Sequence, residues 1–308
     1  MIIAENINKS FDSKKVLSDM SCKIPKGCIY GLVGANGAGK STFLRILTGV
    51  YRPDSGRITI DGEVVYDNPR VKARFAFVPD DLYFLPQSNM KRMAEVYAAN
   101  YPSFDWEKFD SLVKTFKLDP KVNLNQFSKG MRRQAAIILA LATKPDYLFM
   151  DETFDGLDPG MRNLVKNIIY SDICEREATA AITSHSLREL EDTCDQLTLL
   201  YDGGIVFESD VANLKTSLFK AQVVFNREFD KELFEGIEVL DFKKQGSVSN
   251  LIIRGDKPDV SKKINALSPL LFEIIPLTLE EVFIHEMEAL GYAFNDVMDK
   301  EEVLSNEK

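Results

Sequence analysis

The stretch whose reading decides the fold is YGLVGANGAGKSTFLRILTG, Tyr30–Gly49. An apolar, strand-like run stops at Gly34. Four glycines fall between Gly31 and Gly39, Lys40 follows, and a helix-like run begins at Ser41 and Thr42. Gly34-Ala35-Asn36-Gly37-Ala38-Gly39-Lys40-Ser41 has the phosphate-loop spacing of Gly, four residues, Gly-Lys-Ser/Thr. Glycines let successive backbone N–H groups curl around an anion without Cβ clashes. A helix start adds unpaired N–H donors and partial positive charge. On this reading Lys40 reaches the terminal phosphates of a nucleotide, Ser41 binds Mg²⁺ and Thr42 sits near the α-phosphate. The bland alternative is a glycine-rich turn with no ligand. The strand before the loop and the helix after it weigh against that.

A nucleotide site of this kind needs an acid at the end of an apolar strand to hold the magnesium. YLFMDE, Tyr147–Glu152, supplies one. Asp151 is placed to contact Mg²⁺ through water, and Glu152 to polarise the attacking water as general base. Taken alone the segment reads equally as an acidic turn after a core strand. Beside an intact phosphate loop it reads as the second half of a site.

The rest of the chain alternates in character. Residues 1–75 show short apolar strands and turn signals, including GRITIDGEVV around Asp61-Gly62. Residues 80–143 read as helical, in MKRMAEVYAANY, WEKFDSLVKTF and KGMRRQAAIILALAT. YLFM and TAAIT then read as buried parallel strands, and LTLLYDGGIVFE as a hairpin on Asp202-Gly203. After about Ser209 the strands AQVVFN, IEVLDF and NLIIRG and the helices KKINAL and LEEVFIHEMEAL predict a small α+β domain over 211–288. The acidic stretch 289–308 lacks apolar periodicity and reads as a flexible tail.

Bulk properties narrow the function. The net charge of −9 over 308 residues argues against a general nucleic-acid binder, which needs a basic face. Cys22, Cys28, Cys174 and Cys194 have no CxxC spacing and read as reduced thiols. The first residues, MIIAENINKSF, lack the basic start and apolar core of a signal peptide. No apolar run approaches the ~18 residues that span a bilayer, so any membrane role is expected to run through a partner.

With those residues in place the chain resembles the ATP-binding cassette (ABC) ATPases, in the right order through residues 1–210. FSKGMRRQ, Phe127–Gln134, is similar to that family's signature sequence. Ser128 and Gly130 keep the positions that touch the γ-phosphate, while Lys129 and Met131 depart from the commonest form. Ser128 also reads as a helix N-cap. FDGLDP, Phe154–Pro159, looks like the D-loop, with Asp158 at its aspartate. AITSHS places His185 where the family's switch histidine meets the γ-phosphate and its attacking water. Phe11 falls at the position of an adenine-stacking aromatic, and reads also as an edge-strand core residue. The implied fold is α/β: a P-loop NTPase of ABC type, with a mixed sheet core and a helical subdomain at about 80–143, followed by the α+β domain.

Two departures stand out. Asp80 in FAFVPDD occupies the usual glutamine position of the Q-loop, where an acid can still hold Mg²⁺ through water but adds negative charge. Thr153 replaces the usual proline after the catalytic glutamate, and is expected to be tolerated. Tyr83, Phe84 and Leu85 read either as a partner-binding surface or as a cap on the helical subdomain's core. The signature, Asp80 and PLTLEEVFIHEM are similar to the prokaryotic drug, antimicrobial-peptide and toxin-peptide exporters whose membrane subunits are separate chains.

The resemblance implies two ATPase subunits facing head to tail, homo- or heterodimeric, with Ser128 acting in trans on ATP bound to Lys40, Ser41 and Asp151. It implies a separate transmembrane permease, a peripheral place on the cytoplasmic face of the membrane, and no nucleic-acid partner. The rival class is a soluble or regulatory ABC ATPase. Ribosome-acting members carry tandem cassettes and DNA-acting ones a long coiled-coil insertion, and the sequence has neither.

Overall fold

Alternating buried and exposed side chains make Ile2–Phe11 (β1) and Lys14–Ile24 (β2) an antiparallel pair with one face inward. The computed structural model describes residues 1–289 and 291, which divide into two units, Met1–Glu208 and one beginning at Ser209. In the first, β3 (Ile29–Val33) is buried at every residue, as a central parallel strand must be. α1 (Lys40–Leu47) follows the glycine-rich loop. β4 (Ser55–Ile60) and β5 (Glu63–Val64) turn on Asp61-Gly62, whose φ values of 52° and 85° suit a tight hairpin.

α2 (Pro69–Lys72) and β6 (Phe75–Val78) lead into the helical stretch. It contains α3 (Met90–Asn100), α4 (Trp106–Thr115) and α5 (Lys129–Ala142). Asn89, Asp105 and Ser128 cap them, each side chain accepting a first-turn N–H. α5 is buried continuously from Arg133 to Ala142. Each buried Ile or Leu on it contributes roughly 1.5–3 kcal/mol, so this helix anchors the others. β7 (Tyr147–Met150), α6 (Pro159–Arg176), β8 (Thr179–Ser184), α7 (Leu187–Leu190), β9 (Gln196–Tyr201) and β10 (Gly204–Asp210) complete the unit.

Two sheets result. One is antiparallel, ordered β2-β1-β4-β5. The other is ordered β10-β9-β3-β8-β7-β6, with β6, β7, β8, β3 and β9 mutually parallel. Ile2, Ile7 and Ile58 of the first share a core with Phe43 and Leu47 of α1 and with Tyr30, Leu32 and Phe149 of the second. The expected mixed α/β architecture is therefore present. The parallel register matters most: Val33 lies opposite Ser184, Val78 opposite Met150, and Met150 opposite Ile182. The chain leaves β3, β6, β7 and β8 at one edge, where doubly wound sheets place ligands.

The second unit begins with α8 (Val211–Ser217). A four-stranded antiparallel sheet follows, ordered β12-β13-β11-β14, from β11 (Leu218–Val224), β12 (Glu238–Gln245), β13 (Val248–Arg254) and β14 (Leu271–Ile275). α9 (Lys257–Ala266) closes a separate core of Phe219, Val223, Leu251, Ile253, Val260 and Ile264. α10 (Leu279–Ala289) ends the described helices. α8 and β14 go beyond the sequence reading, because a seven-residue helix and a five-residue strand give too few periods to stand out. The expected tail over 289–308 lies, but for Ala289 and Gly291, outside the described residues.

Candidate functional site

The loop after β3 curls tightly against its own sheet. A Cβ on Gly34 would come within 2.3 Å of the Leu200 carbonyl oxygen, so only glycine fits. Gly37, with φ +84°, instead faces open space. Asn36 and Gly37 are exposed, Ala38, Gly39 and Lys40 are buried, and Ser41 and Thr42 are half-buried on the first turn of α1. The Lys40 side chain is 4% exposed. Its ammonium donates to the carbonyls of Gly34 at 2.6 Å and Ala35 at 3.2 Å, and lies 3.3 Å from Glu152 Oε1. A buried cation is tolerable only when held this way.

Asp151 follows β7 and is fully buried. Its Oδ1 accepts from Ser41 Oγ at 3.0 Å and from Thr183 Oγ1 at 2.7 Å. Its Oδ2 is buried with no hydrogen-bond partner. Leaving such an oxygen unpaired costs about 1–3 kcal/mol, which marks a place prepared for something other than protein. Burial pushes the Asp151 carboxyl above its usual range. A carboxylate oxygen beside a serine hydroxyl is a donor set that fits Mg²⁺, a hard cation that takes few protein ligands and keeps its waters.

Glu152 is built differently. Its backbone is left-handed, φ +44°, an uncommon state for a residue with a side chain. Its N–H donates to Thr183 Oγ1 at 3.0 Å. Its carboxylate lies between Lys40 and His185, whose Nδ1 is 2.9 Å from Oε2. Burial pulls this carboxyl upward, but the His185 hydrogen bond and the Lys40 charge outweigh it and hold it below the usual glutamate range. Glu152 is thus a carboxylate held in its ionised form between a lysine and a histidine.

Thr183 serves both acids at once, donating to Asp151 and accepting from Glu152. The sequence reading passed over it, although it sits in the quoted AITSHS two residues before His185. Ser184 Oγ donates to Glu189 at 2.6 Å, which fixes the turn after the histidine's strand.

Ser128 is exposed and its Oγ accepts from Met131 N at 3.2 Å, so it is the N-cap of α5. A Cβ on Gly130 would sit 2.8 Å from the Gly156 carbonyl oxygen, and Lys129 pairs with Asp155 at 2.5 Å. The segments FSKGM and FDGLD therefore touch within the chain. Asp158 caps α6, accepting from Met161 N at 2.9 Å. Phe11 is 40% exposed and stands edge-on to Tyr51 at 5.3 Å, outside the core. Tyr83 is 77% exposed and Leu85 is also exposed, so neither caps the helical core; Phe84 is half-buried.

The Asp80 carboxylate meets a different side chain from those that meet the Asp151 carboxylate. Its Oδ1 takes a hydrogen bond at 2.7 Å from the guanidinium of Arg133, a residue the sequence reading left without a role. Its signal was a charge inside the otherwise apolar run of α5.

Residues 17–155 match the family profile described as ABC transporter. The chain is 31% identical to the ABC transporter ATP-binding protein YtrB of Bacillus subtilis (strain 168), over 92% of this chain and 97% of that protein. It is 32% identical to the Nod factor export ATP-binding protein I of Rhizobium etli, over 71% of each chain. A dimeric ATP-binding cassette solved in a post-hydrolysis state with ADP and Pi superposes with a TM-score of 0.62. That likeness, at 21% identity, covers 68% of this chain and 99% of the other, and shows the shared fold. With 31% identity over nearly the whole of both chains, the chain belongs to the ABC transporter family as an ATPase subunit.

Proposed function

We propose that this chain powers an exporter of peptides or drugs, by hydrolysing ATP between two cassettes whose closure and reopening move a separate membrane subunit. The observation that carries the chemistry is the Asp151–Glu152 pair. One acid keeps a buried oxygen unpartnered beside Ser41; the other is held ionised between Lys40 and His185. In this reading the loop N–H groups and Lys40 take the phosphates, with Asn36, Gly37, Ala38, Gly39 and Thr42 shaping the cradle. Phe11 stacks on adenine.

Ser41 and Asp151 hold Mg²⁺, which when bound neutralises charge on the transferring phosphoryl group. Glu152 orients the attacking water and takes its proton, and His185 holds Glu152 in place. Ser128 and Gly130 at the start of α5, with Asp158, meet the nucleotide of the opposing cassette. Each ATP then glues an otherwise weak interface, and hydrolysis releases it.

Export is supported by relatives named for Nod factor export and linearmycin resistance. Among the described residues no helix is long and apolar enough to cross a membrane. Work at the cytoplasmic face therefore needs a permease chain, for which exposed Tyr83 and Leu85 are a candidate contact.

Two experiments test this. Glu152→Gln is expected to keep ATP binding, trap a closed dimer and lower turnover by about 10²–10⁴-fold; unchanged hydrolysis would overturn the assignment of the base. Affinity capture from detergent-solubilised membranes should bring down a polytopic membrane protein. Recovery of ribosomal proteins alone, with the chain absent from membranes, would favour the soluble alternative.

A further inference from the structure

Among the described residues, one of the largest fully buried side chains is a charged one. Arg133, 1% exposed, lies on α5, five residues after the Ser128 cap. Its Nη1 donates to the Pro79 carbonyl at 2.7 Å and reaches the Asp151 carbonyl at 3.4 Å. Its Nη2 donates to the Asp80 carbonyl at 3.2 Å and to Asp80 Oδ1 at 2.7 Å. One guanidinium thus ties α5 to the loop after β6 and to the end of β7. Asp80, half exposed, is the carboxylate that takes a hydrogen bond from this charge, while Asp155 senses it without one. An arginine fork suits such multiple contacts where a lysine would not.

The Asp151 carbonyl belongs to the peptide that joins the two acids of the site. Its oxygen faces Arg133, and its N–H, from Glu152, donates to Thr183 Oγ1. The peptide is gripped at both ends. Its orientation sets the left-handed backbone at Glu152, φ +44°, and so the direction in which that carboxylate points. Such backbone states persist only where the surroundings over-determine them.

We infer that Asp80 is a positioning residue for hydrolysis, acting through Arg133 on the Asp151–Glu152 peptide, and not a ligand of Mg²⁺. The Asp80 carboxylate is committed to the guanidinium and neutralises it. Without that partner Arg133 is a buried cation held by carbonyls alone, and its grip on the Asp151 carbonyl changes. Because α5 begins at Ser128, the same arginine links the position of the signature segment to the aim of Glu152. The inference rests on the proposed ATPase reading, and its test separates the two.

Asp80 is at the surface, so its variants should fold. In the full-length chain, Asp80→Ala is expected to lower kcat about tenfold or more while the KM for ATP holds. Titration calorimetry of ATP binding at varied Mg²⁺, in the non-hydrolysing Glu152→Gln background, should show the Mg²⁺ requirement moved by less than about twofold. Asp80→Asn should likewise slow turnover, Arg133→Gln should slow it on its own, and the double variant should be no slower than Arg133→Gln alone, because Asp80 acts only through that guanidinium. A Mg²⁺ requirement raised about fivefold or more in Asp80→Ala, or a kcat unchanged by that substitution, would overturn the inference. A wild-type chain that binds ATP without hydrolysing it would count against the proposed function, and the calorimetric arm would still decide the role of Asp80.

Discussion

Asp151 and Glu152 are neighbours in sequence with opposite electrostatic settings. Burial raises the carboxyl of Asp151. For Glu152 burial is outweighed by His185 and Lys40, and its carboxyl is lowered. The signs predict opposite linkage to folding. A depressed folded-state pKa gives Glu152 a stabilising contribution that is present above its unfolded pKa and lost as pH falls through the folded value. Wild type should therefore have a higher Tm than Glu152→Gln at neutral pH, and the gap should close at acid pH below the ordinary glutamate range. A raised folded-state pKa gives Asp151 the reverse: ionised burial weakens the fold at neutral pH. Asp151→Asn should raise the Tm of the ligand-free chain at pH 7, with the advantage shrinking as pH falls, while ATP turnover is lost. Thermal melts of the three proteins across pH check both signs.

α5 shows how one element serves packing and chemistry at once. Its apolar run packs against α3 and α4, its cap Ser128 presents an exposed first turn, and its one buried charge reaches the backbone carbonyl of Asp151. The contact of Gly130 with the Gly156 carbonyl couples it to the loop before α6. Gly130→Ala places a methyl 2.8 Å from that backbone oxygen, so one segment must shift. The expected result is a folded protein, with near-native circular dichroism, that binds ATP and loses most of its hydrolysis. Retained hydrolysis would show that the two segments need not keep this spacing.

At the scale of the molecule, the two units have separate apolar cores. A chain cut after residue 210 keeps both sheets of the first unit and every residue proposed for the site. It is expected to unfold cooperatively and to bind ATP with an affinity close to that of the full chain. Loss of cooperative unfolding in the fragment would mean that the second unit supplies stability that its own core does not account for.

Much of this protein was readable from local chemistry. The glycine loop, the apolar strand before Asp151 and the Asp61-Gly62 and Asp202-Gly203 turns each follow from residues close together in the chain, because backbone freedom and hydrophobic period act over a few positions. The order of motifs was enough to raise the family resemblance. The partners of the site residues needed tertiary structure. That the Asp80 carboxylate meets Arg133, 53 residues on, cannot be read from either segment by itself. Thr183 looks like one more strand residue until the parallel register sets it beside both acids, 32 residues from Asp151. Sequence alone determined which chemical groups are present and in what order along the chain. The register of β3, β7 and β8 and the burial of α5 decided which of them meet, since a hydrogen bond depends on distance in space and not on separation in sequence.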